Sequence, residues 1–198
     1  MSYLSNIELI SVTPNHIGVL KRVIAVCHNK NTVSDKVIQH VINSGHLSVL
    51  EHLSATFEIK CSRKVLAQIT RHRHLSFTVQ SSRACEFTES YDKFTHPMVK
   101  QGLQNAMRAY KQALACDVSY DEASYLLPEG AMCRMIVSGS FRAFYEMLPK
   151  RTCKRALDEF NTIAKQIWWQ LSAVAPEIFT KERMMNCVKC TEGSCRFK

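Results

Sequence analysis

The sequence predicts one α+β domain, and three observations carry that reading. Residues 55–61 alternate apolar and polar side chains with period two, the signature of a half-buried strand. Several longer segments instead repeat apolar residues every three or four positions, as amphipathic helices do. No internal repeat and no Pro- or Gly-rich linker interrupts the chain, and its 198 residues suit a single domain burying roughly 70% of its unfolded surface.

The elements follow in order. The start of the chain, ending Ile7-Glu8-Leu9-Ile10-Ser11-Val12, predicts a strand closed by Thr13-Pro14-Asn15, and a helix follows through Leu20 and Val26. Ser34 is a suitable N-cap for a second helix with Val37, Ile38, Val41 and Ile42 at helical spacing. Gly45 sits where a helix C-terminal glycine belongs. In the 55–61 strand Phe57, Ile59 and Cys61 face one way, Thr56, Glu58 and Lys60 the other. Residues 63–74 predict a helix with Val65, Leu66 and Ile69 on its apolar face. Residues 76–98 lack a period and read as loop plus a short strand, ending at His96-Pro97. Leu103, Met107, Tyr110 and Leu114 mark an amphipathic helix over 99–116, and 120–126 predict a short helix stopped at Pro128. Residues 131–148 are apolar enough for a long helix or helix pair, broken by Pro149. The last helix runs from about Thr152, with Leu157, Phe160, Ala164, Ile167, Leu171 and Val174 on one face, to Pro176.

Composition narrows the function classes. With 46% hydrophobic and 22% charged residues, 6 Gly and 5 Pro, the chain is not fibrous, linker-like or of low complexity. No apolar run approaches the ~18 residues of a membrane helix, and MSYLSNIELISV lacks the basic and apolar regions of a secretory signal. A soluble, cytoplasmic protein without a membrane partner is expected. The 9 cysteines are odd in number and mostly scattered singly, which suits reduced thiols. Lys plus Arg is 26 against 17 acids, a net charge of +9. Such a balance attracts polyanions, whether a nucleic acid or a phosphorylated small molecule.

The densest polar cluster is Gln68, Arg71-His72-Arg73-His74, Ser76, and Gln80-Ser81-Ser82-Arg83. On a helix through His74, Gln68, Arg71 and His72 share a face. Guanidinium groups interleaved with hydroxyls and an amide suit phosphate oxygens, which arginine contacts in planar, bidentate fashion. The plainer alternative is a solvated basic face, but His and Ser stand between the arginines where an ion-pair ladder needs Glu. A second group is Gly45-His46-Leu47-Ser48, followed by Glu51-His52. Its histidine spacing matches no common zinc pattern, and no metal is expected. A third comprises Arg142 and Glu146, an i,i+4 pair, with Lys150, Arg151, Lys154 and Arg155. Arg151, placed after Pro149 near the start of the last helix, is expected at a positive dipole end that favours an anion.

Arg71-His72-Arg73, with Ser81 eight positions after the last arginine, resembles the signature of the flavin-dependent thymidylate synthases. Gly45-His46, Ser48 and Glu51-His52 resemble that family's GHxSxxEH segment. Gln68, three residues before Arg71, and Arg83, two after Ser81, also fit. Leu127-Pro128, Arg134, Arg142 and Arg151 resemble its later pattern in order and spacing, and the likeness covers roughly residues 1–180. The resemblance implies a small antiparallel sheet flanked by helices, and a homotetramer with shared active sites. It implies FAD as cofactor, NADPH as hydride source, and transfer of the methylene of methylenetetrahydrofolate to C5 of dUMP. By this likeness His46, Ser48, Arg71, His72, Arg73 and Arg142 contact FAD, with Ser140 where the family usually has Asn. Gln68, Arg71, Ser81, Ser82, Arg83 and Arg151 hold dUMP, and Arg151 polarises the uracil at N3. No GxGxxG fingerprint is needed, because this family does not hold its flavin in a Rossmann fold.

The chain also departs from the pattern. Thr78 and Val79 replace an Asn-Glu pair, Ala84 replaces a Tyr, and Ser124 stands where a phosphate-binding Arg is frequent. Residues 24–27, Ile-Ala-Val-Cys, replace Ala-Arg-Val-Ser. Arg155 or Lys154 is the expected substitute for the missing phosphate contact. Two other readings follow: the same scaffold acting on a different pyrimidine deoxynucleotide, for example by hydroxymethylation, or a basic nucleic-acid-binding protein. Against the second, the sequence has no zinc-finger spacing and no RNP-like strand. Residues 181–198, with Cys187, Cys190 and Cys195, form a tail outside the resemblance.

Overall fold

A computed structural model describes residues 7–185, 187 and 190–195. The elements are β1 (Ile7–Val12), α1 (His16–Val26), α2 (Asp35–Asn43), a 3₁₀ turn (Leu47–His52), β2 (Ser54–Ser62), α3 (Arg63–Ile69) and β3 (Leu75–Val79). There follow α4 (Pro97–Ala115), α5 (Tyr120–Ala123), a 3₁₀ turn (Ser124–Leu126), β4 (Met132–Ser140), α6 (Phe141–Arg151), α7 (Asp158–Val174) and α8 (Lys181–Met184). The α+β class and the small antiparallel sheet are as expected, with strand order β1-β2-β4-β3. The part of the first predicted strand that precedes Ile7, and residues 186, 188–189 and 196–198 of the tail, lie outside the described residues.

The largest correction concerns residues 131–148. They form β4 and then α6, not a long helix or helix pair. Cys133, Met135 and Val137 are buried while Arg134 is exposed and Ile136 and Ser138 are half-buried, so the true period is two. A run of Met, Ile and Val on both faces masks that alternation, as it does wherever a strand is covered on both sides. The break comes at Ser140, whose hydroxyl accepts from the Ala143 N–H at 3.2 Å and caps α6. Pro149 lies inside α6, which continues to Arg151. Its ring does not end the helix, and α7 begins only at Asp158. β2 and β4 run antiparallel: the Phe141 N–H donates to the Leu53 carbonyl, and that of Arg63 to Ala131. Ser62 caps α3 from the end of β2 as Ser140 caps α6 from the end of β4.

The chain divides into two compact units. In the first, residues 58–71 and 77–136, Ile59, Val65, Ile69, Phe87, Tyr110 and Leu127 are buried. The Tyr110 hydroxyl accepts from the Phe87 N–H at 3.1 Å, and burial raises its pKa above the ordinary phenol value. In the second, residues 7–57, 72–76 and 137 onward, Phe57 meets Phe144 edge-on at 5.4 Å and Phe141 meets Phe179 at 5.2 Å. There α6 packs on the 3₁₀ turn at 47–52, on α7 and on α8, while α7 packs on β1. Among the described residues no helix is long and apolar enough to cross a membrane.

Candidate functional site

Arg71, His72 and Arg73 lie beyond α3, not on it. The helix stops at Ile69, with Thr70 as its C-cap. The Thr70 hydroxyl donates to the Leu66 carbonyl at 2.9 Å. The expected common helical face of Gln68, Arg71 and His72 therefore does not form. The chain instead turns, the Leu75 N–H donating to the His72 carbonyl, and enters β3. The sequence predicts helix past Ile69 because the turn holds neither Gly nor Pro to mark it. Arg71 and Arg73 are exposed, and neither makes an ion pair among the described residues.

In the second unit His72 meets Arg151, which is distant in sequence. The Arg151 Nε–H donates to His72 Nε2 at 2.9 Å. Only a neutral imidazole carrying its hydrogen on Nδ1 can accept there. Burial, followed by the charges of Arg151 and Lys150, pushes the His72 pKa down from 6.5 to about 4, which keeps that tautomer at neutral pH. The Arg151 guanidinium carbon lies 4.8 Å from the centre of the Phe160 ring, a cation–π contact. His72 stands edge-on to the same ring at 6.2 Å. Burial lowers the Arg151 pKa from its usual value. Contrary to expectation, Arg151 ends α6 and does not sit at the positive end of the next helix. The negative end of the α6 dipole favours a cation there. The backbone carbonyls of Arg151 and Cys153 are satisfied by the Asn161 side-chain amide at 3.0 and 2.9 Å.

The same unit brings Arg142 to the 45–52 segment. Arg142 donates from Nε to Glu146 at 2.8 Å and lies 3.4 Å from Glu51, and these carboxylates, Glu146 first, raise its pKa. Glu51 belongs to the second sequence cluster, so that cluster and the α6 cluster meet. Gly45 has φ +79 and turns the chain out of α2, whose C-cap is Ser44, into the 3₁₀ turn. His46 and Ser48 are exposed on that turn. Ser140 is half-buried, its hydroxyl engaged as the α6 cap.

In the first unit Gln68 is half-buried near the end of α3. Ser81 is exposed and Ser82 half-buried. The Ser81 hydroxyl accepts from the Arg83 N–H at 3.3 Å, and its carbonyl accepts from the Cys85 thiol at 3.1 Å. Arg83 pairs with Asp121 at 3.0 Å, both largely exposed. Ser124 donates its hydroxyl to the Asp121 carbonyl at 2.7 Å. A cavity of about 490 Å³ is lined by Glu58, Thr78, Val79, Gln80, Cys85 and the Arg134-Met135-Ile136 stretch of β4. Arg134 is bound by the Glu58 carboxylate there, and Gln80 Oε1 accepts from the Arg134 N–H at 3.1 Å. Two of the departures from the family pattern, Thr78 and Val79, thus line this cavity.

Sequence reasoning missed Phe160 and Asn161 as neighbours of Arg151, and Asp121 as the partner of Arg83. Phe160 reads only as core in an apolar stripe. Asn161 is a weak helix former next to that stripe, a signal of a specific amide role. Arg155 lies 3.4 Å from Glu192. Among the described residues no group of three or more His, Cys, Asp or Glu is placed to hold a metal ion.

The family described as thymidylate synthase complementing protein (Thy1) matches residues 8–177. A flavin-dependent thymidylate synthase of Saccharolobus solfataricus is 31% identical over 177 aligned residues, 81% of this chain. The chain spans 66% of that relative's length. A flavin-dependent thymidylate synthase of Nitratidesulfovibrio vulgaris is 25% identical, covering 96% of this chain and 93% of its own. A crystal structure of the flavin-dependent thymidylate synthase ThyX of Helicobacter pylori, complexed with FAD and dUMP, superposes with a TM-score of 0.78 at 25% identity. That match covers 89% of this chain and 98% of the other. With a fold, a signature turn and a profile match over most of its length in agreement, this chain belongs to the thymidylate synthase complementing protein family.

Proposed function

We propose that this protein is an FAD-dependent thymidylate synthase that converts dUMP to dTMP, with methylenetetrahydrofolate as carbon donor and NADPH as reductant. It acts in the cytoplasm as a homotetramer with shared active sites. Residues 1–180 form the synthase domain and 181–198 a tail. The observation that carries the reading is the Arg151–His72 hydrogen bond, which joins the signature turn to the end of α6.

The fit to a flavin dinucleotide rests on Arg71 and Arg73. Both guanidinium groups are exposed and without a carboxylate within ion-pair distance among the described residues, so their charge is available to phosphate oxygens. With them, His46, Ser48, His72, Ser140 and Arg142 hold FAD. The flavin supplies the hydride chemistry that no amino-acid side chain provides. Gln68, Arg71, Ser81, Ser82, Arg83 and Arg151 hold dUMP, the nucleotide phosphate replacing Asp121 on Arg83. For C5 to attack the electrophilic methylene, the pyrimidine ring must first gain electron density, and in that activation negative charge grows on its carbonyl oxygens and N3. Arg151 lies half-buried, where a fixed cation stabilises such charge more than it does in water. Its Nε is engaged by His72, and its two terminal nitrogens remain for the base.

The test is NADPH oxidation by FAD-loaded protein with and without dUMP, followed by isotope release from C5 of dUMP. Stimulation by dUMP with C5 release is the expected result, and Arg151→Ala lowers turnover by at least about tenfold. Flavin binding with oxidation indifferent to dUMP would overturn the substrate assignment. Steeply salt-dependent binding to DNA or RNA without flavin uptake would overturn the enzyme class.

A further inference from the structure

We propose that Phe160 and His72 are positioning residues that hold the Arg151 guanidinium in one orientation, leaving its two terminal nitrogens for the pyrimidine. The proposal rests on the reading of Arg151 given above and assigns Phe160, a residue outside every sequence cluster, a part in the reaction.

An arginine side chain has many rotamers, and ordering it on binding costs about 2 kcal/mol of entropy. Three contacts remove that freedom beforehand. The Phe160 ring supplies a flat face 4.8 Å from the guanidinium carbon, and being fully buried it cannot swing away. His72 Nε2 accepts the Nε–H, which sets the rotation of the guanidinium plane. The His72 ring is itself braced edge-on against Phe160, so one aromatic ring fixes both partners. The backbone under Arg151 is held as well: Asn161, next to Phe160 and 8% exposed, donates both amide hydrogens to the carbonyls of Arg151 and Cys153. The first turns of α7 therefore supply the floor for the side chain and the tie for its main chain. Neither terminal nitrogen has a hydrogen-bond partner among the described residues. Together they present a planar pair of donors, which matches N3 and a flanking carbonyl oxygen of uracil once N3 carries no hydrogen, and so favours the negatively charged ring over the neutral one.

The experiment is a double-mutant cycle on the FAD-loaded enzyme with Phe160→Leu and Arg151→Lys. dUMP affinity is read by calorimetry and C5 isotope release by rate. Leucine keeps the apolar filling and removes the ring face; lysine keeps the charge and removes the plane. We expect Phe160→Leu to weaken dUMP binding about fivefold and to slow C5 release further, yet to change either by less than about twofold in the Arg151→Lys background. Equal losses in both backgrounds mean that Phe160 only fills space, and overturn the proposal, as does no loss in the Arg151 background. Arg151→Lys indistinguishable from wild type in both assays overturns the reading of Arg151 itself. If Phe160→Leu fails to take up FAD, the histidine arm carries the test at saturating FAD. His72→Gln, which restores an acceptor for Nε–H, recovers most of what His72→Leu loses, and equal loss in the two overturns the proposal.

Discussion

Acid should destabilise this protein through one histidine, and the size of the effect follows from the site. His72 accepts a hydrogen bond from Arg151, so protonating it sets an N–H against an N–H and adds a second cation beside a guanidinium. Its pKa falls to about 4 in the folded chain, from 6.5 for an unperturbed histidine. Between these two values the unfolded chain holds more protons than the folded one. Stability therefore declines as pH falls through that window, and is unaffected by this group above it. At about 1.4 kcal/mol per pH unit the full difference is about 3 kcal/mol, and solvent screening at a half-buried site reduces it to about 1.5 kcal/mol. The assay is denaturant unfolding followed by far-ultraviolet circular dichroism from pH of about 7.5 down to about 4.5, for wild type and His72→Gln. Glutamine accepts the same bond and does not titrate, so the difference between the two curves cancels every other group. The wild-type advantage should shrink by about 1 to 1.5 kcal/mol on acidification. Parallel curves would refute the buried, neutral histidine and the bond drawn from it.

Two further outcomes follow from elements that frame the site. β1 is an edge strand whose exposed backbone is covered by one side chain: Gln170 accepts from the Leu9 N–H and donates to the Ile7 carbonyl, both at 2.9 Å. Gln170→Ala should cost about 1 to 2 kcal/mol and speed hydrogen exchange at Leu9 by about tenfold; unchanged protection at that amide would exclude the side chain as its partner. At Gly45, φ is +79 and a β-carbon would meet nothing within 4 Å, so Gly45→Ala should cost about 1 kcal/mol of backbone strain without a steric clash. A neutral result in equilibrium denaturation would show that the left-handed conformation is not required there.

The corrections share one cause. The α3 boundary and the 131–148 run differ from the sequence expectation where the local pattern is compatible with two structures. Helix and buried strand look alike in a short apolar run, and what decided β4 was pairing with β2 and with β3, which no local window contains. The shift of Arg151 from a helix start to a helix end follows from the same ambiguity, since Pro149 signals a break that the fold does not make. By contrast α2, α4 and α7 were legible because amphipathic period is a property of each segment alone. So was β2, whose buried Ala55, Phe57, Ile59 and Cys61 alternate cleanly.

The chemistry-bearing residues were likewise visible as types and spacings: the arginines and histidine at 71–73, Ser81, the 45–52 segment, Arg142 and Arg151. Residue type determines charge, donor count and ordinary pKa, and these are written in the sequence wherever the chain folds. Which of them meet was decided by tertiary structure alone. Arg151 finds His72 across 79 residues, and Gln170 reaches the edge of β1 across more than twice that separation. His72 is neutral at its site because folding buries it and sets two cations near it, and a pKa belongs to that environment. The sequence determined what each group can do; packing determined which neighbour makes it do so.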